Sequence, residues 1–353
     1  RFGRFHTGRM VPSPNTSWTP SIDVLVSTLN EEQHIERCIH SILDQDYPSE
    51  KINVTVVDGG STDKTIPLLR SLADPVPRLD VVADGRRRNL PEALNHGLAL
   101  TSGELVAKID AHGYPEHDYL SAAVDALGAR PPHVACVGGR IEQEGETRFG
   151  RAVASARTSR FGVGGSRYAS RGGAEFVVTV QCGVYRRDAL NHVGSFDPLM
   201  AFGEDEELNW RLKVAGYEIL FDPRIRYHYV ARGTWSEAFS QYRNYGAARV
   251  RVARKHPAYL RPYHAVPAAT VLTGAALLAL SPFRASARRA LGWGAATYVG
   301  AATVAGRQAS PREGTAQTAR VVAAFAALHA GYGLGMLGEL QSGVPDGGAT
   351  GSL

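Results

Sequence analysis

The sequence predicts an α/β protein: a parallel sheet with crossover helices, followed by a hydrophobic helical region. Three observations carry this. Between residues 21 and 112, β-branched apolar runs alternate with segments of helical period, the rhythm of βαβ units. Polar residues (Thr28, Asp58, Asp110) stand where these runs end. After Lys255 the composition shifts to long runs without Asp, Glu, Lys or Arg.

Taken in order, residues 1–20 lack hydrophobic periodicity and read as a flexible arm. In SIDVLVSTLNEE, Ile22, Val24, Leu25 and Val26 form a buried strand that runs into a turn. HIERCIHSILDQ places Ile35, Cys38, Ile39 and Ile42 at helical spacing. INVTVVDGGSTDKT is a strand ending in Asp58 and two glycines, TIPLLRSLA a helix, and LDVVADG a third strand. LPEALNHGLALTSG is a helix with Gly103 after it, and ELVAKIDAHGYP a fourth strand ending at Asp110. Open α/β sheets bind ligands beyond the carboxyl ends of their strands, which gathers Thr28, Asp58, Arg88 and Asp110 at one crevice. Between 131 and 233, HVACVGGRI, EFVVTVQCGVYRR and YEILFDPRIRYHYV add strands. They surround a Gly- and Arg-rich stretch, RFGVGGSRYASRGGAEF, either a solvated surface loop or a mobile loop with an anionic partner.

GEDEELNWRLKVAGYEIL places four acids, Glu204 to Glu207, at a helix start, with Leu208, Leu212 and Ala215 on one face and Gly216 at the end. The macrodipole favours one or two such carboxylates and leaves the others to another task. Residues 234–261 then read as an amphipathic interface helix region. Pro262–Phe283, Ala290–Gly306 and Val321–Gly338 contain no Asp, Glu, Lys or Arg, at lengths near the roughly 20 residues that cross a bilayer. Region 262–340 is therefore expected to associate with a membrane, with 341–353 a flexible tail. Arg284, Arg288 and Arg289 between the first two runs disfavour a simple three-pass topology and fit a re-entrant or surface-lying first pair.

A formal charge of +5 over 353 residues suits a phosphate-bearing ligand or an anionic lipid surface. Zinc-finger spacing, an RNA-binding aromatic signature and a basic heptad helix are absent from the sequence, which argues against nucleic acid. Cys38, Cys136 and Cys182 are odd in number and widely spaced, so neither a disulfide framework nor a metal cluster is indicated. They fit a reducing, cytosol-facing location.

Asp58 at a strand end can accept hydrogen bonds from a base or ribose, and its glycines permit close backbone approach. Asp110 and His112 are possible ligands for a divalent ion bridging phosphate oxygens. For a sugar nucleotide across the crevice, a carboxylate among residues 204–207 can take the proton of an attacking hydroxyl. Metal and arginine neutralise the leaving diphosphate.

Together, IDVLVSTLNEEQHIERCIHSILDQDYP, INVTVVDGGSTDKT, RNLPEALNHGLALTSGELVAKIDAHGYP and FGEDEELNWRLKVAGYEI resemble the inverting glycosyltransferases of family two, above all the succinoglycan-type exopolysaccharide glucosyltransferases. The resemblance covers roughly residues 20 to 255 and implies a GT-A fold, with a Rossmann-like, mixed but mostly parallel sheet, over residues 21–233. It places Thr28 and Glu31 at the nucleoside, Asp58 on the uracil or equivalent base, and Arg88 and Asn89 near base and phosphate. Asp110 matches the first aspartate of an Asp-x-Asp metal motif that here ends in His112, implying Mn²⁺ or Mg²⁺. Asp205 matches the catalytic base, with Glu204 beside it, leaving Glu206 and Glu207 as a favourable helix start. Where processive relatives carry Gln-x-x-Arg-Trp, this chain has Gln241, Tyr242, Arg243, Asn244 and Tyr245, which argues for limited addition. Gln241, Arg243 and Arg249, with His228 and Arg232 upstream, are candidates for the diphosphate or a lipid acceptor.

The implied activity is transfer from a nucleotide-sugar, a UDP-sugar by the family's habit, to a lipid-linked or saccharide acceptor of an exopolysaccharide or envelope glycan. The enzyme would sit at the cytoplasmic membrane. Two alternatives are transfer to polyprenyl phosphate and a non-catalytic nucleotide-binding scaffold. A dinucleotide oxidoreductase is weaker still, because no Gly-x-Gly-x-x-Gly follows the first strand.

Overall fold

Strands β1 (Ile22–Thr28), β2 (Ile52–Asp58), β3 (Leu79–Val82) and β4 (Leu105–Asp110) run parallel, Thr28 lying beside Asp58 and Ser27 beside Asp110. That register brings the carboxyl ends of three strands to one level. The computed structural model describes residues 18–163 and 172–342. Most of the N-terminal arm (1–17), the centre of the Gly- and Arg-rich stretch (164–171) and the tail from 343 lie outside the described residues.

The sheet continues through β5 (Gly113–Pro115), β6 (Val134–Glu144), β7 (Glu175–Val177), β8 (Val184–Arg186) and β9 (Glu218–Val230). Its order is β3-β2-β1-β4-β8-β6-β9-β5, with β7 also on β9. EFVVTVQCGVYRR, read above as one strand signal, makes two. β7 runs antiparallel on β9, and β8 is wedged antiparallel between β4 and β6. Cys182, with φ of 48°, turns the chain between them.

Both faces are covered, which explains why the parallel strands carry apolar side chains on both faces rather than on one alone. α1 (Ile35–Leu43), α2 (Thr65–Ala73) and α4 (Tyr119–Gly128) cover the face of Val24, Val26, Val54 and Val56. α3 (Leu90–Leu100), α7 (Arg187–Val193) and α8 (Glu204–Val214) cover Leu25 and Val106. Four helices escaped the sequence reading: α4, α7, α5 (Arg148–Thr158), capped by Thr147, and the short α6 (Arg160–Val163).

α9 (Trp235–Lys255) opens with a Thr234–Glu237 capping box. Three helices follow it: α10 (Val266–Leu280), α11 (Ala285–Ala309) and α12 (Gly314–Ser342). α12 lies along α9 at backbone contact. A Cβ on Gly335 or Gly246 would run into the carbonyl oxygens of Arg243 and Tyr332. Val321, Ala324, Phe325 and Leu328 bury the first half of α12 with Ala152, Val153 and Ala156 of α5. α9 is thus sandwiched inside the body rather than lying free on a surface.

Candidate active site

A cavity of about 2530 Å³ opens at the carboxyl ends of β1 and β4. Twelve of the fourteen residues singled out from sequence line it: Thr28, Glu31, Arg88, Asn89, Asp110, His112, Glu204, Asp205, Arg232, Gln241, Arg243 and Arg249. Asp58 and His228 are not on its wall. The Asp58 carboxylate accepts from the backbone N–H groups of Gly60 (2.8 Å) and Ser61 (3.0 Å), so it braces the turn whose glycines, 59 and 60, form the wall. Gly60 needs its φ of 102° for that turn. His228 sits on β9 between Glu116 (2.6 Å) and Glu144 (2.8 Å), stacked on Tyr114, remote from the diphosphate role considered for it.

The four acids of α8 each have a cation. Gly203, at φ of 80°, turns the chain into the helix so that these acids form its first turn. Lys108 Nζ lies 2.8 Å from Glu204 Oε1, 2.8 Å from Asp205 Oδ2 and 3.1 Å from Asp110 Oδ1. Glu206 pairs with Arg249 at 2.8 Å. Glu207, wholly buried, accepts from Arg211 and pairs with Lys255 and His256. Glu206 and Glu207 are thus tertiary ion pairs as well as a helix start.

Lys108 is the residue that the sequence reading missed. It interrupts the apolar run LVAKID two positions before Asp110, so both side chains share one face of β4. A lysine on a fully covered strand requires carboxylates close by, and that was the available signal. Burial opposes its charge, but Asp110, Asp205 and Glu204 outweigh it and hold its pKa well above the ordinary lysine value. Burial pushes Asp205 up, to about 7, with Lys108 opposing and Glu204 and Asp110 adding to the rise.

Other predicted residues carry structural duties at the wall. Arg88 is bidentate to Asp84, both contacts at 2.7 Å. Asn89 caps α3 in a box with Glu92 and donates to the Pro198 carbonyl. Arg249 is engaged by Glu206 and by the hydroxyls of Tyr332 and Tyr259. Against these, Thr28 Oγ1, His112 Nε2, Gln143 Oε1 and Asp205 Oδ1 belong to cavity-lining residues, are buried and have no hydrogen-bond partner among the described residues. Buried polar atoms are rarely left unpaired unless something else binds there.

A Rossmann-like, mostly parallel sheet with acids at the strand ends and a carboxylate-bearing helix facing them defines a GT-A nucleotide-sugar transferase. The chain belongs to glycosyltransferase family 2, whose pattern (Glycosyl transferase family 2) matches residues 23–194. It is 31% identical over 281 residues to the succinoglycan biosynthesis protein ExoA of Rhizobium meliloti (strain 1021), covering 77% of this chain and 84% of that one. It is 28% identical over 240 residues to a dolichyl N-acetyl-alpha-D-glucosaminyl phosphate 3-beta-D-2,3-diacetamido-2,3-dideoxy-beta-D-glucuronosyltransferase of Methanococcus voltae, over 66% of this chain and 74% of the relative. The mannosyltransferase PcManGT of Pyrobaculum calidifontis, solved with GDP-Man and Mn²⁺, superposes with a TM-score of 0.60 at 25% identity, over 90% of this chain and 89% of that one. The protein is a glycosyltransferase acting on nucleotide-sugar donors in glycan synthesis.

Proposed function

We propose that Asp205 is the general base of an inverting transfer from a nucleotide-sugar to a lipid-linked or saccharide acceptor. One observation carries this reading: Asp205, on the cavity wall, has its Oδ2 held by Lys108, while its buried Oδ1 has no hydrogen-bond partner among the described residues. A raised pKa suits a base working near neutrality. The acceptor hydroxyl attacks the anomeric carbon and its proton passes to Asp205. The bond from that carbon to the diphosphate oxygen breaks, and the nucleoside diphosphate leaves on the opposite face.

Asp110 and His112 fit a divalent ion. His112 Nε2 is a buried atom without a hydrogen-bond partner among the described residues, on a side chain close enough to Asp110 for the two to interact electrostatically. Among the described residues no group of three His, Cys, Asp or Glu side chains is placed to hold a metal, so an ion held by Asp110 and His112 would need further ligands from outside the protein side chains, such as the donor's diphosphate. When bound, such an ion neutralises charge developing on the diphosphate. Mn²⁺ is the ion in the solved PcManGT complex. That complex carries GDP-Man, so the UDP preference expected from the family is tested beside GDP.

We also propose that the enzyme lies on one membrane leaflet, facing the cytosol, rather than spanning the bilayer. By length and composition Pro262–Leu280 and Gly314–Ser342 are long and apolar enough to cross. However, half of the second is buried against the body, while Leu272, Leu278, Phe283 and Trp293 of the α10–α11 pair are exposed. Residues 257–320 carry seven arginines against one glutamate, complementary to anionic lipid. The free, buried cysteines suit a reducing compartment.

The test is release of nucleoside diphosphate from a panel of UDP- and GDP-sugars by the full chain in detergent with extracted lipid, with and without Mn²⁺, beside Asp205→Asn. Turnover with one donor, reduced about 10²–10⁴-fold in the variant while nucleotide binding is kept, supports the assignment. Normal turnover by D205N overturns it.

A further inference from the structure

Arg157 is a buried cation that the transfer chemistry above does not use. It lies on α5 with 8% of its surface exposed and lines the cavity. Among the described residues no carboxylate pairs with it. Its guanidinium donates to Gln241 Oε1 at 3.3 Å and covers the Tyr229 ring at 4.3 Å, and Gln241 Nε2 donates in turn to the Tyr229 hydroxyl at 2.7 Å. Arg232, just beyond the end of β9, lines the same cavity, acts electrostatically on Tyr229 as Arg157 does, and likewise has no carboxylate partner among the described residues. The Tyr229 ring meets that of His112 edge-on at 4.7 Å.

The cavity is therefore electrostatically split. On the Lys108 side, three carboxylates share one cation. On the Arg157 side, guanidinium charge is buried against a tyrosine ring and an amide, with no carboxylate beside it among the described residues. A buried charge left without a counter-charge is costly, and an incoming oxyanion supplies one in the fork geometry that arginine matches best. The surroundings narrow the choice further. Beyond Arg157 the chain enters α6, where Phe161 packs on Phe325 at 4.9 Å and on Tyr298 at 5.7 Å. Phe161, Tyr298, Leu328 and Val271 all line the same cavity. Arg157 thus stands where the polar half of the cavity meets an apolar half, as an amphiphile's headgroup requires.

We propose that Arg157, oriented by Gln241 and supported by Arg232, forms an oxyanion subsite for a phosphate or diphosphate group, separate from the Asp110–His112 pair. The group belongs either to an amphiphilic acceptor, whose chain follows the apolar half, or to the donor. This rests on the nucleotide-sugar transferase reading and deepens it by naming the residue that takes a phosphate.

The test uses calorimetry on the full chain in detergent with two probes. Decyl phosphate, with decanol as its uncharged control, stands for the amphiphile; nucleoside diphosphate with Mn²⁺ stands for the donor. Arg157→Gln is expected to weaken decyl phosphate about tenfold or more, with Arg157→Lys retaining part of the affinity and decanol unaffected. Loss confined to decyl phosphate places the subsite on the acceptor, and loss confined to nucleoside diphosphate places it on the donor. Unchanged binding of both overturns the proposal. Wild type that binds no nucleoside diphosphate fails the transferase reading instead. Should R157Q not fold, Arg232→Gln carries the same comparison: weaker binding of either anionic probe supports the subsite, and unchanged binding of both refutes it.

Discussion

The Lys108 cluster allows a quantitative test through Lys108→Met, which keeps the length of the side chain and removes its charge. One ammonium lies within 3.1 Å of three carboxylates, and the lysine is 2% exposed. Breaking a buried ion pair by removing one partner costs about 3–5 kcal/mol, and three carboxylates sharing one cation place this site toward the upper end. The loss is electrostatic, so it depends on pH in a known direction. Protonated carboxylates no longer need the lysine, and the penalty shrinks as pH falls. Removing two of the acids in the same background, as Lys108→Met/Glu204→Gln/Asp205→Asn, should return part of the stability even though it deletes more hydrogen bonds. Urea unfolding followed by tryptophan fluorescence measures all three proteins, at about pH 7.5 and about pH 5.5. Two results would refute the argument: K108M within about 1 kcal/mol of wild type, or a triple variant less stable than K108M. Either would mean that the carboxylates are neutral or solvated rather than held by Lys108.

Three further outcomes are expected. Asp205 must be ionised to accept a proton and burial raises its pKa to about 7, so kcat/KM should fall as pH drops through that value and level off above it; an acid limb centred below about pH 5 would show an ordinary carboxylate instead. His112→Gln should weaken Mn²⁺, titrated calorimetrically with nucleoside diphosphate present, by at least about tenfold, since loss even of a metal's outer-shell partners costs that much; unchanged affinity would remove His112 from the shell. Leu278→Glu/Phe283→Glu changes side chains that are 62% and 84% exposed, so it should abolish flotation with anionic vesicles while leaving the melting temperature unchanged; retained flotation would put the membrane contact elsewhere.

Most of the sheet could be read from the sequence because its signal is local. Parallel strands buried on both faces spell themselves as apolar runs, and α1 shows its buried stripe at Ile35, Cys38, Ile39 and Ile42. α5 was hidden because an arginine occupies its buried stripe four residues after Val153, and an arginine reads as surface. Splitting EFVVTVQCGVYRR into β7 and β8 depends on which neighbours each piece finds, and that information is not in the stretch itself.

What the sequence alone determined is the family and the chemical types at the crevice. Strand-end acids and a helix opening on four carboxylates are short-range patterns set by strand period and helix start. What only the tertiary structure decided is which charge answers which. Asp58 and Arg88, singled out as ligands, spend their charge on a turn and on Asp84. Glu207, taken for a helix start, is buried among Arg211, Lys255 and His256. Lys108 and Arg157 emerge as the central cations, one shared by three carboxylates and the other paired with none among the described residues. Coulomb energy and desolvation depend on distance and burial in space, and residues 96 positions apart, Lys108 and Glu204, acquire those only when the chain has folded.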